Sequence, residues 1–451
     1  QSRTILSVIS LVSYVLTKVA VTVYAGGLVF QQVFGIKELW GIDFFWIAAI
    51  GLVVLTALYT IFGGMKSVLY TSVLQTPILL LGSLIILVLG FKELGGWDEM
   101  MRVCGAVTVN DYGDTMTNLI RSNDDANFPW LGALIGSAII GFWYWCTDQF
   151  IVQRVLSGKN EMEARRGTIF GAYLKLLPVF LFLIPGMIAF ALHQKYIGAG
   201  GEGFLPMLAN GTANADAAFP TLVAKLLPAG VKGLVVCGIL AALMSSLASL
   251  FNSSAMLFTI DFYKRFRPET PEKKLVGIGQ VATVVIVILG ILWIPIMRSV
   301  GDVLYTYLQD VQSVLAPGIA AAFLLGICWK RTSAQGGMWG LIAGMVIGLT
   351  RLGAKVYYSN AGEVADSTFK YLFYDMNWLF FCGWMFLFCI IVVIVVSLAT
   401  EAPTAEKIQG LVFGTATKEQ KAATRASWDH WDIIHTVIIL AITGAFYWYF
   451  W

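Results

Sequence analysis

The stretch AALMSSLASLFNSSA, residues 241–255, lies in a long apolar segment, yet it contains five serines and an asparagine, with no charged residue before Asp261. Five of its small residues recur at positions i, i+3, i+4, i+7 and i+11: Ala242, Ser245, Ser246, Ser249 and Ser253. This spacing puts them on one face of a helix. Such a face lets a second helix pack closely, with each serine bonded to the carbonyl four residues earlier. Alternatively, its hydroxyls and backbone carbonyls are ligands for a small cation such as sodium, and the spacing leaves both interpretations open.

The composition indicates the kind of protein that contains this helix. Of 451 residues, 58% are hydrophobic and 13% are charged, whereas soluble domains have about 25% charged residues. The apolar residues form long runs, so the sequence predicts an all-α polytopic protein that crosses a lipid bilayer. A net charge of +3 gives no indication of a nucleic-acid partner. The three histidines are scattered along the chain and predict no metal cluster.

Eleven apolar runs are long enough to span a membrane, which requires about 20 residues. They are 5–34, 44–62, 74–91, 131–156, 167–191, 231–262, 275–297, 303–329, 336–352, 378–398 and 433–450. Lysine and arginine accumulate in four connections: 157–167, 263–274, 330–335 and 399–432. Because basic connections stay in the cytoplasm, we predict that these four are cytoplasmic, in a plasma membrane or a bacterial inner membrane. Arg351, Lys355 and Lys370 are exceptions, since they fall on the predicted outer side.

A second polar region is GFWYWCTDQFIVQR, residues 141–154, in which aromatic residues are followed by a threonine, an acid and an amide. Sugars bind with an apolar ring face on an aromatic side chain and with their hydroxyls on polar groups. Tyr144 and Trp145 are candidates for that stacking surface. The alternative is an aromatic belt at the membrane interface, which does not explain the acid and amide that follow.

Two further polar positions lie in apolar runs. Lys175 is about two turns inside its predicted helix, where it either extends to the membrane surface or donates to a solute hydroxyl. Tyr305 and Gln309 share one helical stripe, and an amide both donates and accepts hydrogen bonds, which suits a polyhydroxylated solute. Pro317 and Gly318 are predicted to interrupt that helix.

These polar regions carry a family resemblance. The segments ALYTIFGGMKSVLYT, WYWCTDQFIVQRVLSGKN, YLKLLPVF, SSLASLFNSSAMLFTIDFYKR, YLQDVQSVLAPGI and FLLGICWKRT resemble the sodium:solute symporters, and most closely the sodium/glucose cotransporter branch. The resemblance covers most of residues 1–330, the predicted symporter core. Residues 331–451 are predicted to add C-terminal transmembrane helices. The family implies a leucine-transporter-like fold, with two inverted repeats and broken helices around a site at the membrane midplane.

The resemblance also implies roles for individual residues. Sodium would be bound by one backbone carbonyl and two hydroxyls, from Ala242, Ser245 and Ser246. Tyr144 would close the sugar site from the cytoplasmic side, with Trp145 beside it. Lys175 and Gln309 would contact sugar hydroxyls, and Tyr305 would line the outer side of the pocket.

The sequence departs from the family at two places. Ser72, in LYTSVLQT, occupies a position where the sugar branch commonly has a carboxylate, so this sequence lacks the acid to which the resemblance would give a role in ion handling. The resemblance also begins in mid-fold at Gln1. We therefore expect the first helices of the family to be missing, including the unwound helix that completes both sites.

The predicted function is sodium-coupled uptake of a sugar similar to glucose or galactose, by alternating access. Sodium would be the transported coupling ion, and no obligate protein partner is evident. The alternative within transport is another solute, such as myo-inositol, an amino sugar or a carboxylate, or coupling to protons. A membrane-embedded enzyme is a less favoured class, because no metal cluster or acid–base motif is apparent. A solute sensor is the third class, and the connections are too short to hold an output domain.

Overall fold

The structure, a computed structural model of the chain, describes residues 2–208, 211–300, 304–361 and 365–450. Its α-helices are α1 (Ser2–Ser13), α2 (Ala20–Phe34), α3 (Phe44–Leu94), α4 (Trp97–Gly105), α5 (Trp130–Phe142), α6 (Gln149–Leu156), α7 (Glu161–Pro178), α8 (Ile184–Gly198), α9 (Ala218–Leu226), α10 (Ala229–Met256), α11 (Lys264–Phe266), α12 (Glu272–Val300), α13 (Leu304–Cys328), α14 (Ala334–Asn360), α15 (Thr368–Lys370), α16 (Trp378–Ala399), α17 (Ala405–Ile408), α18 (Lys418–Ala426) and α19 (His430–Tyr449). Strands β1 (Glu38–Leu39) and β2 (Ile42–Asp43) form a short antiparallel hairpin. Wider π-helical turns continue several helices: π1 (Tyr14–Val19), π2 (Trp143–Thr147), π3 (Val179–Leu183), π4 (Leu257–Tyr263) and π5 (Tyr371–Asp375).

Ten helical segments among the described residues are long and apolar enough to cross a membrane. They are Ser2–Phe34, Gln75–Leu94, Trp130–Thr147, Glu161–Gly198, Ala229–Phe266, Glu272–Ile296, Leu304–Cys328, Ala334–Ser359, Trp378–Ala399 and His430–Tyr449. Each overlaps one of the predicted runs. The remaining predicted run, 44–62, corresponds to the shorter apolar helical part Phe44–Leu58. The all-α polytopic architecture predicted from composition is therefore confirmed.

The predicted connection between runs 44–62 and 74–91 is wrong, because α3 continues through it. This helix has 51 residues, which corresponds to about 77 Å at 1.5 Å per residue. The intervening residues include Gly63 and Gly64 but no proline. Glycine weakens a helix without ending it, so the local sequence does not force a break.

The predicted interruption at Pro317 and Gly318 is also wrong, because both residues lie inside α13. A proline in a transmembrane helix is tolerated where neighbouring helices compensate for the lost hydrogen bond. Gly318 has a packing role instead, since a Cβ atom there would lie 3.1 Å from the Cα of Gly344 in α14. The dipeptide therefore belongs to a close contact between α13 and α14.

The helices form two compact units. The first, unit 1, takes its residues from 1–18, 121–169 and 253–437. Its apolar core is made by residues of α1, α5, π2, α13, α14 and α16. Within it, α14 and α16 from the predicted C-terminal part pack against α13. The division at residue 330 stays a prediction.

The second, unit 2, takes its residues from 19–120, 170–252 and 438–451. Its core is made by residues of α2, α3, α4, α8, α9 and α10. Ile86, Ile188 and Leu222 have no exposed surface in this core. The unit therefore buries the apolar faces of its helices in the way expected of membrane helices that associate through side-chain packing.

The basic residues at the predicted outer end of α14 have partners within unit 1. Arg351 is fully buried, and its guanidinium donates to the carbonyls of Leu372 at 3.1 Å and Met376 at 2.6 Å. Lys355 forms an ion pair with Asp310 of α13. Arg351 and Lys355, two exceptions to the basic-inside pattern, thus connect α14 to neighbouring segments of unit 1.

Candidate functional site

The hydroxyl face of α10 lies in unit 2, and its serines are used in different ways. Ser249 Oγ donates to the Ser245 carbonyl oxygen at 3.0 Å, which is the back-bonding expected of a packing serine. Ser245 is buried, with 7% of its surface exposed, whereas Ala242 and Ser246 are half-buried. Ser249 therefore fits the packing interpretation, whereas the partner of Ser245 lies on another helix.

The Ser245 hydroxyl bonds across to α3. Its Oγ lies 2.6 Å from Oγ of Ser72, the residue that departs from the family pattern. The two hydroxyl oxygens are uncharged and lie side by side. Oxygens in this arrangement can serve as ligands of a hard cation. A carboxylate at position 72 would add a charge at this point, and this sequence supplies a hydroxyl instead.

Tyr305 and Gln309, predicted to share a stripe, are bonded to each other on α13 in unit 1. Gln309 Nε2 donates to Tyr305 Oη at 2.9 Å. Tyr305 is 55% exposed and its ring centroid lies 6.5 Å from that of Phe128, while Gln309 is half-buried. The two side chains therefore present an amide and a hydroxyl side by side.

Tyr144 and Trp145 lie on π2, also in unit 1. Their ring centroids are 5.1 Å apart with the planes nearly perpendicular. Tyr144 is half-buried and Trp145 is 49% exposed. The helix ends at Asp148, whose backbone is extended (φ −77°, ψ 120°) and whose carboxylate accepts from the Phe150 amide to begin α6. Thus the predicted stacking surface lies directly before a break in a membrane helix.

The largest feature that sequence reasoning missed is an ion pair at this break. Lys18, on π1, pairs with Asp148, and the side chains are only 8% and 2% exposed. Tyr14 Oη donates to the other carboxylate oxygen at 2.7 Å. The available signal was a lysine and an aspartate in two different apolar runs, since buried charges in membranes are usually paired.

Lys175 lies on an exposed part of α7 in unit 2, three residues before Pro178, where α7 ends and π3 begins. This exposure fits a lysine that extends to the membrane surface as well as one that meets a solute. The predicted residues are thus divided between the units. Tyr144, Trp145, Tyr305 and Gln309 belong to unit 1, and Ala242, Ser245, Ser246 and Lys175 to unit 2.

Comparison with known proteins identifies relatives of the chain. It is 35% identical over 469 residues to the sodium/mannose cotransporter SLC5A10 of Bos taurus, over 99% of this chain and 77% of that protein. It is also 35% identical to the sodium/myo-inositol cotransporter 2 of Homo sapiens and to the sodium/glucose cotransporter 4 of Mus musculus. Both of these alignments include 91% of this chain, but only 62% and 60% of the relatives. The chain therefore spans about three-fifths of the length of these two relatives.

A solved structure shares the fold. It is described as "Substrate-bound outward-open state of a Na+-coupled sialic acid symporter reveals a novel Na+-site", and it aligns with a TM-score of 0.65 and 21% identity over 89% of this chain and 76% of that one. The predicted leucine-transporter-like fold is thereby confirmed. Residues 1–344 match the family described as the sodium:solute symporter family. The chain therefore belongs to the sodium:solute symporter family.

Proposed function

We propose that this chain belongs to a transporter that takes up a sugar or a related polyol together with sodium. The observation that carries the proposal is the buried Ser245 hydroxyl, which bonds across to Ser72 at 2.6 Å instead of back to its own helix. A hydroxyl that only fills space in a helix interface is expected to bond to the carbonyl four residues earlier. A pair of oxygens held between two helices suits a weakly bound cation.

Sodium is the ion that we assign to this face of α10. Ser245 and Ser246 would contribute hydroxyl oxygens, and Ala242 would contribute its carbonyl oxygen. Since these ligands carry no charge, the ion would be bound weakly enough to be released in each transport cycle. By linkage, sodium must favour the solute-competent state by the same factor by which the solute favours sodium binding.

The solute that we assign is neutral and polyhydroxylated. Gln309 and Tyr305 already form an amide–hydroxyl pair at 2.9 Å, and these groups can donate to and accept from a sugar hydroxyl. The rings of Tyr144 and Trp145 would supply an apolar surface, and Lys175 a donor. The relatives are named for mannose, myo-inositol and glucose, so a hexose and an inositol are the two leading choices.

The orientation follows from the basic connections. We propose that 157–167, 263–274, 330–335 and 399–432 face the cytoplasm of a plasma membrane or a bacterial inner membrane. Tyr144 would then lie on the cytoplasmic side of the solute, and Tyr305 on the outer side. Alternating access would expose the solute first past Tyr305 and then past Tyr144.

The proposal is tested by uptake into proteoliposomes containing the full-length transporter. Labelled glucose, galactose, mannose and myo-inositol are supplied with an inward gradient of either sodium or potassium. We expect accumulation of at least one of these solutes with sodium, and none with potassium or after a sodium ionophore has removed the gradient. Equal uptake in both gradients would refute sodium coupling. A folded protein that accumulates an amino sugar or a carboxylate, and none of the four solutes, would refute the solute assignment.

A further inference from the structure

The Lys18–Asp148 ion pair in unit 1 has no part in the function proposed above. Three donors converge on the Asp148 carboxylate: Lys18 Nζ, Tyr14 Oη at 2.7 Å and the Phe150 amide at 3.1 Å. Tyr14 Oη in turn accepts from the same Phe150 amide at 3.1 Å. Both carboxylate oxygens are therefore bonded, and the pair joins π1 directly to the end of π2.

The lysine ammonium is surrounded by aromatic rings. Its Nζ lies 4.3 Å from the ring centroid of Phe150, 4.9 Å from Tyr14, 5.0 Å from Tyr144 and 5.6 Å from Trp143. Rings at such distances attract a cation through their electron-rich faces, most strongly where water is excluded. The charge of Lys18 thus contacts Tyr144, the residue proposed to line the cytoplasmic side of the solute.

Asp148 is also the point at which a membrane helix is interrupted. Its amide donates to the Trp143 carbonyl at 3.1 Å, which closes the wide turn of π2, and its side chain then begins α6. Breaks of this kind are where transporter helices bend between states. An interaction that fixes the position of Asp148 therefore also fixes the position of π2 and of its residue Tyr144.

We propose that Lys18 and Asp148 are positioning residues whose ion pair holds π2, and hence the ring of Tyr144, in the place that closes the site. This role rests on the proposed function, because it gives Tyr144 a task in transport. Lys18 and Asp148 themselves do not contact the solute. When the pair is absent, π2 moves more freely and Tyr144 closes over the solute less often.

The test uses Cys146, an exposed thiol of π2 that lies between Tyr144 and Asp148. In the full-length transporter, Cys146 is kept as the single cysteine and its rate of modification by a water-soluble maleimide is measured. The decisive variant is Lys18→Met with Asp148→Asn. It removes both charges together and so avoids leaving one buried charge unpaired. Arg166→Gln with Asp429→Asn is the matched control, since it removes another ion pair of unit 1, which joins α7 to the segment before α19.

We expect the Lys18→Met/Asp148→Asn variant to be folded and its Cys146 to react at least about threefold faster than in the parent protein. The control variant should leave the Cys146 rate unchanged. In uptake assays, the KM for the solute should rise about fivefold or more, with a smaller change in maximal rate. Lys18→Arg, which keeps the charge, should remain close to the parent protein in both assays.

A folded double variant with the parental Cys146 rate and KM would overturn the proposal, as would an equal acceleration in the control. The labelling measurement does not depend on transport. If the parent protein takes up none of the sugars, the proposed function is wrong. The role of the ion pair in holding π2 is then still tested by the rate of Cys146 modification.

Discussion

Arg351 carries a full positive charge but has no exposed surface. Its guanidinium donates to the Leu372 and Met376 carbonyls, and its terminal carbon lies 4.1 Å from the ring centroid of Phe381. A nitrogen of the same group lies 3.8 Å from Asp310. Buried charges are tolerated only when they are paired and hydrogen-bonded. These contacts therefore explain why Arg351 can lie on the predicted outer side, where the basic-inside rule does not expect an arginine.

We predict that Arg351→Met destabilises the protein by about 3–5 kcal/mol, since it leaves two carbonyls without their donor and removes one of the two cations that pair with Asp310. The measurement is the midpoint of thermal unfolding in detergent, which should fall by several degrees. Lys370→Gln is the control, because Lys370 pairs with the highly exposed Asp366, and exposed pairs contribute about 0–1 kcal/mol. An Arg351→Met protein that melts together with the Lys370→Gln protein would contradict this assignment.

The sequence predicted side-chain contacts within one helix better than contacts between helices. Tyr305 and Gln309 were predicted to share one helical stripe from their i, i+4 spacing, which is a local property, and they are bonded to each other. Lys18 and Asp148 are separated by 130 positions, and Ser72 and Ser245 by 173. Hydropathy marks Lys18, Asp148 and Ser245 as polar residues within apolar runs. The partner of each residue depends on tertiary packing, which a single sequence does not reveal.

At the scale of elements, α13 and α14 approach closely through glycine. A Cβ atom on Gly348 would lie 2.2 Å from the Val314 carbonyl oxygen, and one on Gly344 would lie 2.8 Å from the Cα of Gly318. Membrane helices gain stability through such close backbone contact, because lipid gives them no hydrophobic reason to associate. The packing of α14 on α13 should therefore be sensitive to a single methyl group.

We predict that Gly348→Ala lowers the free energy of unfolding by about 1–3 kcal/mol, because the methyl group forces α13 and α14 apart. Gly353→Ala on the same helix should be neutral or slightly stabilising, since no atom lies within 4 Å of its added Cβ and alanine favours the helix. Thermal unfolding of the two variants in the same detergent makes the comparison. Equal midpoints would contradict the close contact.

Helix positions were predicted well because hydropathy depends on composition over a long window. Ten of the eleven predicted runs overlap segments able to cross a membrane. The failures at residues 63–73 and at Pro317 are failures to judge helix breaks. Glycine and proline lower helix propensity locally, but packing of the whole helix decides whether it ends. The π-helical turns were not predicted, since no residue pattern distinguishes them from α-helix.

At the scale of the whole molecule, the residues assigned to the solute and those assigned to sodium belong mostly to different units. Tyr144, Tyr305 and Gln309 lie in unit 1, and the hydroxyl face of α10 lies in unit 2. In a symporter the two ligands must each favour the same state, so coupling is a property of both units together. A change at the sodium face should therefore alter the sodium dependence of uptake and, by linkage, the apparent affinity for the solute when sodium is not saturating.

The assignment of sodium to the hydroxyl face of α10 is tested most directly by the sodium activation curve of solute uptake, measured in proteoliposomes with the full-length transporter. We predict that Ser245→Ala with Ser246→Ala raises the half-saturating sodium concentration about tenfold or more, as expected for the loss of two ion ligands. Thr56→Val is the control, since its hydroxyl bonds back to the Leu52 carbonyl at 2.7 Å, and its curve should match the parent. A serine variant with the parental sodium curve would contradict the assignment of the hydroxyl face to the coupling ion.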